Sequence, residues 1–146
     1  MTVIAFAIVD LALLLVTAGL GLASLLAWVR HRSAGLPVVR IAAHVALQVL
    51  SIGIWAAFVL TGAVLLAWIA FAVITAGQVL GDLLMFASYR ARHPGAVRAD
   101  YRAVSGDVLS FRRPVPALHA LVGALAWFGM LAICIAATVI AATVMA

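Results

Sequence analysis

Four long apolar stretches constrain the fold of this chain more than any other feature. They cover positions 3–29, 38–60, 63–88 and 116–145, and each is long enough to cross a bilayer, which takes about 20 helical residues. Only 9% of the 146 residues are charged, whereas 68% are apolar. A soluble monomer would need more charge to cover its surface, and a disordered chain would be poor in apolar residues. The sequence therefore predicts an all-α membrane protein with four transmembrane helices.

The connections between the stretches predict one domain, 1–146, folded as an up-down-up-down bundle. Thr61-Gly62 is a minimal turn, so the second and third helices should form a tight antiparallel hairpin. The first connection is also short, and 89–115 is the only sizeable segment outside the membrane. Short connections join antiparallel neighbours, and an open sheet edge is not tolerated in hydrocarbon.

All the cationic side chains lie at one end of this predicted bundle. The chain has no lysine or glutamate, and nine arginines against four aspartates give a net charge of +5. The arginines are Arg30, Arg32, Arg40, Arg90, Arg92, Arg98, Arg102, Arg112 and Arg113. The positive-inside rule then predicts cytoplasmic Arg-rich loops and both termini outside, in a bacterial inner membrane. No nucleic-acid recognition motif accompanies the charge, so we expect no nucleic-acid partner.

The third connection has a pattern of its own. Positions 96–104, which precede Ser105-Gly106-Asp107, favour a short helix lying on the inner leaflet. Its apolar face would hold Val97, Tyr101 and Val104, and its basic face Arg98 and Arg102. Arginines in that position reach anionic lipid headgroups. The alternative is a solvated loop whose charges only set the topology.

Ionisable residues inside a membrane span are costly and indicate function by default. Here they are Asp10, His44, Asp82 and His119. His44 follows Arg40 by four residues, or ~6 Å of helical rise, and His119 follows Arg113 by six, or ~9 Å. Both helices begin at the same side, so the two imidazoles should lie at nearly the same depth. If the helices are diagonal in the bundle, the rings can face each other across its core.

Two neutral imidazoles on facing helices can bind one heme iron from opposite sides. Gly123, one turn beyond His119, would leave room for the macrocycle, and Gln48 or a backbone carbonyl could orient the ring of His44. The heme propionates would meet Arg40, Arg112 and Arg113. The aromatic wall would come from Trp55, Phe58, Trp68, Phe86 and Trp127. Two alternatives remain open: a zinc or other structural metal, for which two histidines are an incomplete set, and plain interhelical hydrogen bonding.

The carboxylates allow further roles. Asp82, Gln78 and Tyr89 could form a polar patch that delivers protons or binds a quinone near the heme edge. Alternatively, Asp82 is a neutral, hydrogen-bonded acid or pairs with an arginine near the basic end. Asp10 is most simply explained as a polar residue close to a terminus.

Small residues at regular spacing suggest close helix packing. Gly77 and Gly81 form a Gly-x-x-x-Gly motif on the third helix, and the fourth helix carries a series of alanines. The alanines are Ala132, Ala136, Ala137, Ala141 and Ala142. Such faces can hold the bundle together, or can dock it against another membrane subunit or a second copy.

The segments RIAAHVALQVLSIGIW and RRPVPALHALVGALAWFGMLA resemble spans of small di-histidine b-type cytochromes. The resemblance is to cytochrome b561, to the membrane cytochrome subunits of hydrogenases and dehydrogenases, and to short four-helix actinobacterial proteins. It covers the second and fourth helices. It implies non-covalent heme b, His44 and His119 as axial ligands, and electron exchange with quinone or a partner subunit. Many family members have four intramembrane histidines for two hemes, so two histidines here imply one heme, which would exchange electrons on the cytoplasmic side only or be structural.

The function predicted from these features is that of an electron carrier or quinone-linked redox subunit. A stand-alone enzyme is less expected, because the sequence has no Gly-rich phosphate loop, no Cys-x-x-Cys and no Gly-x-Ser-x-Gly. The first alternative is a non-catalytic accessory subunit or assembly factor of a larger membrane complex. The second is a proton or ion transport component that uses Asp10, Asp82 and the histidines.

Overall fold

The computed structural model describes residues 2–31, 37–95 and 99–145, and over these ranges the chain is helical without strands. Its helices are α1 (Val3–His31), α2 (Val38–Thr61), α3 (Val64–Arg92), α4 (Tyr101–Leu109) and α5 (Pro114–Met145). All but α4 are long and apolar enough to cross a membrane. The prediction of an all-α protein with four spans is confirmed. Helix α3 continues past its predicted end at 88, because its hydrogen bonding extends into the polar sequence where hydropathy falls.

Glycine and proline set the helix boundaries. Gly62 ends α2 in a left-handed conformation, with φ of 69°, and its N–H donates to the carbonyl of Phe58 at 2.8 Å. Only glycine adopts this conformation without a steric cost, so the turn into α3 is tight. Pro37 precedes α2 and Pro114 begins α5, where the missing proline N–H costs nothing.

The four spans are arranged as two helix pairs. Helix α1 packs closely along α5, and α2 packs closely along α3. The pairs meet along two less extensive contacts, α1 with α2 and α3 with α5. The spans therefore form a ring in the order α1, α2, α3, α5, with α2 diagonally opposite α5. We call the end that carries Arg30, Arg40, Arg90 and Arg112 the Arg-rich end, and the end with the Gly62 turn the opposite end.

The best-packed core lies toward the opposite end. Trp55 and Phe58 of α2 and Met130 and Cys134 of α5 are fully buried there. The indole N–H of Trp55 donates to the carbonyl of Ala7 at 3.2 Å, which ties α2 to α1. Many large apolar side chains on the outer faces are exposed instead. Such a surface suits lipid as the surrounding solvent.

Helix α4 differs from the predicted surface helix. It runs through Ser105-Gly106-Asp107, which were expected to end it, and starts at Tyr101 rather than at position 96. The Asp100 carboxylate fixes this start by accepting a hydrogen bond from the N–H of Ala103 at 2.8 Å. Val104 is fully buried, and α4 packs on α3 and α5. The predicted face residues Val97 and Arg98 lie outside the described ranges.

Candidate functional site

His44 of α2 and His119 of α5 lie side by side in the bundle. Their ring centroids are 6.3 Å apart and their planes are inclined by 76°. Both side chains are half-buried, and both lie in the half of the bundle nearer the Arg-rich end. The sequence predicted that the two rings would face each other if their helices were diagonal in the bundle. Helices α2 and α5 are diagonal, so this condition is met.

A backbone carbonyl holds each imidazole. Nδ1 of His44 lies 2.8 Å from the carbonyl oxygen of Gly77, and Nδ1 of His119 lies 2.9 Å from that of Thr17. A carbonyl oxygen can only accept, so Nδ1 is the protonated nitrogen in both rings. In the neutral imidazole, Nε2 then carries the lone pair. Gln48 and a backbone carbonyl were the two predicted candidates for orienting the ring of His44. The carbonyl of Gly77 orients it, and Gln48 does not.

A glycine lies beside each imidazole, one helical turn beyond the accepting carbonyl. A Cβ atom added to Gly81 would lie 3.1 Å from Cε1 of His44, and one added to Gly21 would lie 2.9 Å from Cε1 of His119. The surroundings of the two rings are therefore alike. For His44, the carbonyl and the glycine come from Gly77-x-x-x-Gly81 of α3. For His119, they come from Thr17-x-x-x-Gly21 of α1. Gly77 and Gly81 were predicted to serve helix packing, and the equal spacing of Thr17 and Gly21 in α1 is the signal that could have revealed the second site.

The glutamines lie one turn from the histidines, toward the opposite end. Nε2 of Gln48 donates to Oε1 of Gln78 at 3.5 Å, a long bond that joins α2 to α3. Gly123 is buried on α5, and a Cβ there would lie 3.3 Å from Cγ2 of Thr17 and 3.8 Å from Nε2 of Gln78. The histidines and glutamines thus form a polar layer inside the bundle, and Gly123 lets α5 approach it.

Asp82, Gln78 and Tyr89 have separate partners and do not share one patch. The carboxylate of Asp82 is exposed and accepts a hydrogen bond from the hydroxyl of Tyr101 at 2.6 Å. Tyr89 stacks on His93 at 4.3 Å. Tyr89 follows Gln78 by 11 residues, a rise of ~16 Å, which separates them in depth. Tyr101, which the sequence placed on the lipid face of the surface helix, is the partner that sequence reasoning missed.

The bond to Asp82 changes the acidity of Tyr101. A phenol that donates to a carboxylate is stabilised in its neutral form. The hydrogen bond to Asp82, with smaller contributions from burial and from the negative charge of Asp82, raises the pKa of Tyr101 above its ordinary value.

Asp107 ties α4 to both neighbouring helices. Its Oδ2 lies 2.6 Å from Nη2 of Arg92 on α3 and 3.1 Å from Nη2 of Arg113, just before α5. We call Arg92, Asp107 and Arg113 the Asp107 clasp. Burial opposes the negative charge of Asp107, but the bond to Arg92 and the charges of Arg92, Arg113 and His93 prevail and lower its pKa.

The three arginines expected near heme propionates are therefore not equivalent. Arg113 is engaged by Asp107, whereas Arg40 and Arg112 are exposed at the Arg-rich end. Trp55 and Phe58, two of the aromatic residues expected around a heme, lie farther from the histidines. Trp55 packs on Phe58 at 5.1 Å, ~16 Å of helical rise from His44. Of the other expected aromatic residues, Trp68 contacts Phe71, Phe86 contacts Tyr101, and Trp127 contacts Phe71 and Phe128.

The donor set at this site consists of two imidazoles. Within the described ranges, no group of three or more His, Cys, Asp or Glu side chains could hold a metal ion. This chain matches no family model, and no curated protein or solved structure matches it either.

Proposed function

We propose that this chain is an integral membrane protein that binds one heme b between His44 and His119 and serves as an electron carrier or quinone-linked redox subunit. The observation that carries the proposal is the pair of imidazoles 6.3 Å apart. Both Nδ1 atoms are bonded to carbonyls, which leaves Nε2 of each ring as the metal-binding atom.

The separation of the ring centroids is compatible with a shared metal ion. Imidazole nitrogens bind metals at about 2 Å, and each nitrogen lies about 1.1 Å from its ring centroid, so a linear pair has centroids about 6.2 Å apart. The distance in this bundle is 6.3 Å. The 76° between the ring planes is compatible with a common axis, because each ring can rotate about its own bond to the metal.

The donor set favours heme over a bare ion. Structural zinc takes four protein ligands and catalytic zinc takes three, which exceeds the two imidazoles found here. Heme iron needs only axial ligands from the protein, because the porphyrin fills the other positions. A set of two imidazoles therefore suits heme b better than zinc, and heme b would supply one-electron chemistry when bound.

The chain's own residues prepare that chemistry. The carbonyls of Gly77 and Thr17 fix the tautomer and the orientation of each histidine ring. Gly21 and Gly81 leave the space in which the rings sit. Arg40 and Arg112, exposed at the near end, are the cations we assign to anionic propionates or lipid headgroups.

We assign the Arg-rich end to the cytoplasm of a bacterial inner membrane, following the positive-inside rule. The histidine pair then lies in the inner leaflet. A single site at one depth favours electron exchange with a quinone or a partner subunit at that side, rather than transfer across the bilayer.

The test is the absorption spectrum of detergent-purified protein from heme-replete cells, oxidised and then reduced with dithionite. We expect a Soret band with sharp reduced α and β bands, lost in both His44→Ala and His119→Ala. His93→Ala is the matched control, because His93 is exposed and bonded to the carbonyl of Tyr89 within its own chain segment. A colourless wild-type protein, or a spectrum unchanged by the two core variants, would overturn the proposal and favour an accessory subunit.

A further inference from the structure

Asp10 is a buried carboxyl group whose partner the described part of the chain does not supply. Its side chain lies in α1 and the residue is only 3% exposed. Both carboxylate oxygens are buried without a hydrogen-bond partner among the described residues. Asp10 follows the start of α1 by seven residues, about 10 Å from the opposite end of the bundle. Burying a polar group without a partner is costly, so a partner from outside the chain would be stabilising.

A groove between α1 and α5 leads to this carboxyl. The groove has a volume of about 570 Å³, within the range of small-molecule sites, about 300–1,000 Å³. Asp10 and Gly129 both line it, and a Cβ on Gly129 would collide with Oδ1 of Asp10. Apart from Asp10, the side chains that line it are apolar.

Two aromatic rings line the same groove, one from each helix. Phe6 of α1 is 51% exposed and Phe128 of α5 is 64% exposed, and both are lining residues. Phe6 precedes Asp10 by one helical turn, and Phe128 is adjacent to Gly129. Aromatic faces attract cations, and aromatic rings are the usual recognition surface for quaternary ammonium groups.

These features define the chemistry of a ligand. A carboxylate calls for a positive charge, and the apolar walls and phenyl rings call for organic substituents around it. Within the described ranges no ion pair neutralises Asp10, since both ion pairs there belong to Asp107, and the sequence has no lysine. We propose that the α1–α5 groove binds a lipophilic organic cation, with Asp10 as its counter-ion and Phe6 and Phe128 in contact with its substituents.

The proposal is independent of heme, because the groove lies on one helix pair and in the other half of the bundle.

The experiment measures binding of tetraphenylphosphonium to the full-length protein in detergent by equilibrium dialysis. We expect saturable binding of one cation per chain in the wild type, and an affinity at least about tenfold lower in Asp10→Asn. Asp82→Asn is the matched control, because Asp82 is exposed and bonded to Tyr101. Gly129→Ala is a second variant that keeps the charge but fills the space beside it, and it should weaken binding similarly.

Three outcomes would overturn the proposal. The first is wild-type binding that does not saturate. The second is equal affinity for the cation in the wild type and Asp10→Asn. The third is a loss of affinity in Asp82→Asn as large as the loss in Asp10→Asn. A His44→Ala/His119→Ala double variant should bind the cation like the wild type. Loss of heme with retained cation binding therefore distinguishes a failure of this proposal from a failure of the heme proposal.

Discussion

The carbonyl oxygen of Thr17 lies 2.9 Å from Nδ1 of His119, a residue 102 positions later in the chain. The bond joins the first span to the last. It has a counterpart in the bond between Gly77 and His44, 33 positions apart. Each helix pair thus orients one imidazole, and the two rings meet only where the pairs meet.

The glycines beside the rings provide the first prediction. Gly81→Ala should displace the imidazole of His44, because the added methyl would lie 3.1 Å from Cε1, and overpacking of this kind typically costs about 1–3 kcal/mol. We expect a lower midpoint of thermal unfolding in detergent and loss of any low-spin heme spectrum. Gly53→Ala on α2 is the control, since nothing lies within 4 Å of its Cβ position. Equal behaviour of the two variants would contradict the packing role of Gly81.

The second prediction separates Gln48 from the ligand-orienting role. Because the carbonyl of Gly77 holds His44, Gln48→Leu should keep the position of the Soret band. It should still lower stability by about 1 kcal/mol, because it leaves Gln78 without its bond to Gln48. A Gln48→Leu/Gln78→Leu double variant should recover most of that loss. Disappearance of the heme signal in Gln48→Leu alone would show that the glutamine orients the ring.

The third prediction concerns Tyr101. Its pKa is raised, first by the hydrogen bond to Asp82, so its stabilising contribution is complete below the ordinary tyrosine pKa. That contribution is lost as the pH rises through the raised value. Ultraviolet titration in a Tyr89→Phe background reports Tyr101 alone, because the chain has two tyrosines. Asp82→Asn should shift the titration to lower pH, and an unchanged curve would argue against the bond.

The fourth prediction concerns the Asp107 clasp. The pKa of Asp107 is lowered despite its partial burial, through Arg92, Arg113 and His93, so the clasp is fully formed above the ordinary aspartate pKa. It is lost as the pH falls through the lowered value. Ion pairs this exposed contribute at most about 1 kcal/mol. We therefore expect Asp107→Asn to increase amide hydrogen exchange in α4 at neutral pH while α2 and α3 are unaffected.

The clasp offers a further control within the same experiment. High salt screens exposed ion pairs, so it should increase exchange in α4 of the wild type and have little effect on the variant. A salt effect of equal size in both proteins would show that another contact protects α4 from hydrogen exchange, for instance the burial of the Val104 side chain.

The sequence predicted the spans and the juxtaposition of His44 and His119 because both follow from helical rise and the positions of arginines. It could not identify Gly77 and Thr17 as partners of the rings, because a backbone carbonyl has no side-chain signature. It placed Trp55 near the histidines although its distance along α2 separates them. It ended the loop helix at Ser105-Gly106-Asp107, where tertiary contacts of Asp107 and Val104 stabilise helical structure instead.

The division into two helix pairs has a consequence for biogenesis. The α2–α3 hairpin joins neighbours in sequence through the Gly62 turn, so it can form, with His44 already bonded to Gly77, while the chain is still emerging from the ribosome. Helix α1, although synthesised first, must wait in the bilayer for α5. The second imidazole is therefore set in place by the last insertion event, and a chain interrupted before α5 would hold only the His44 half of the histidine pair.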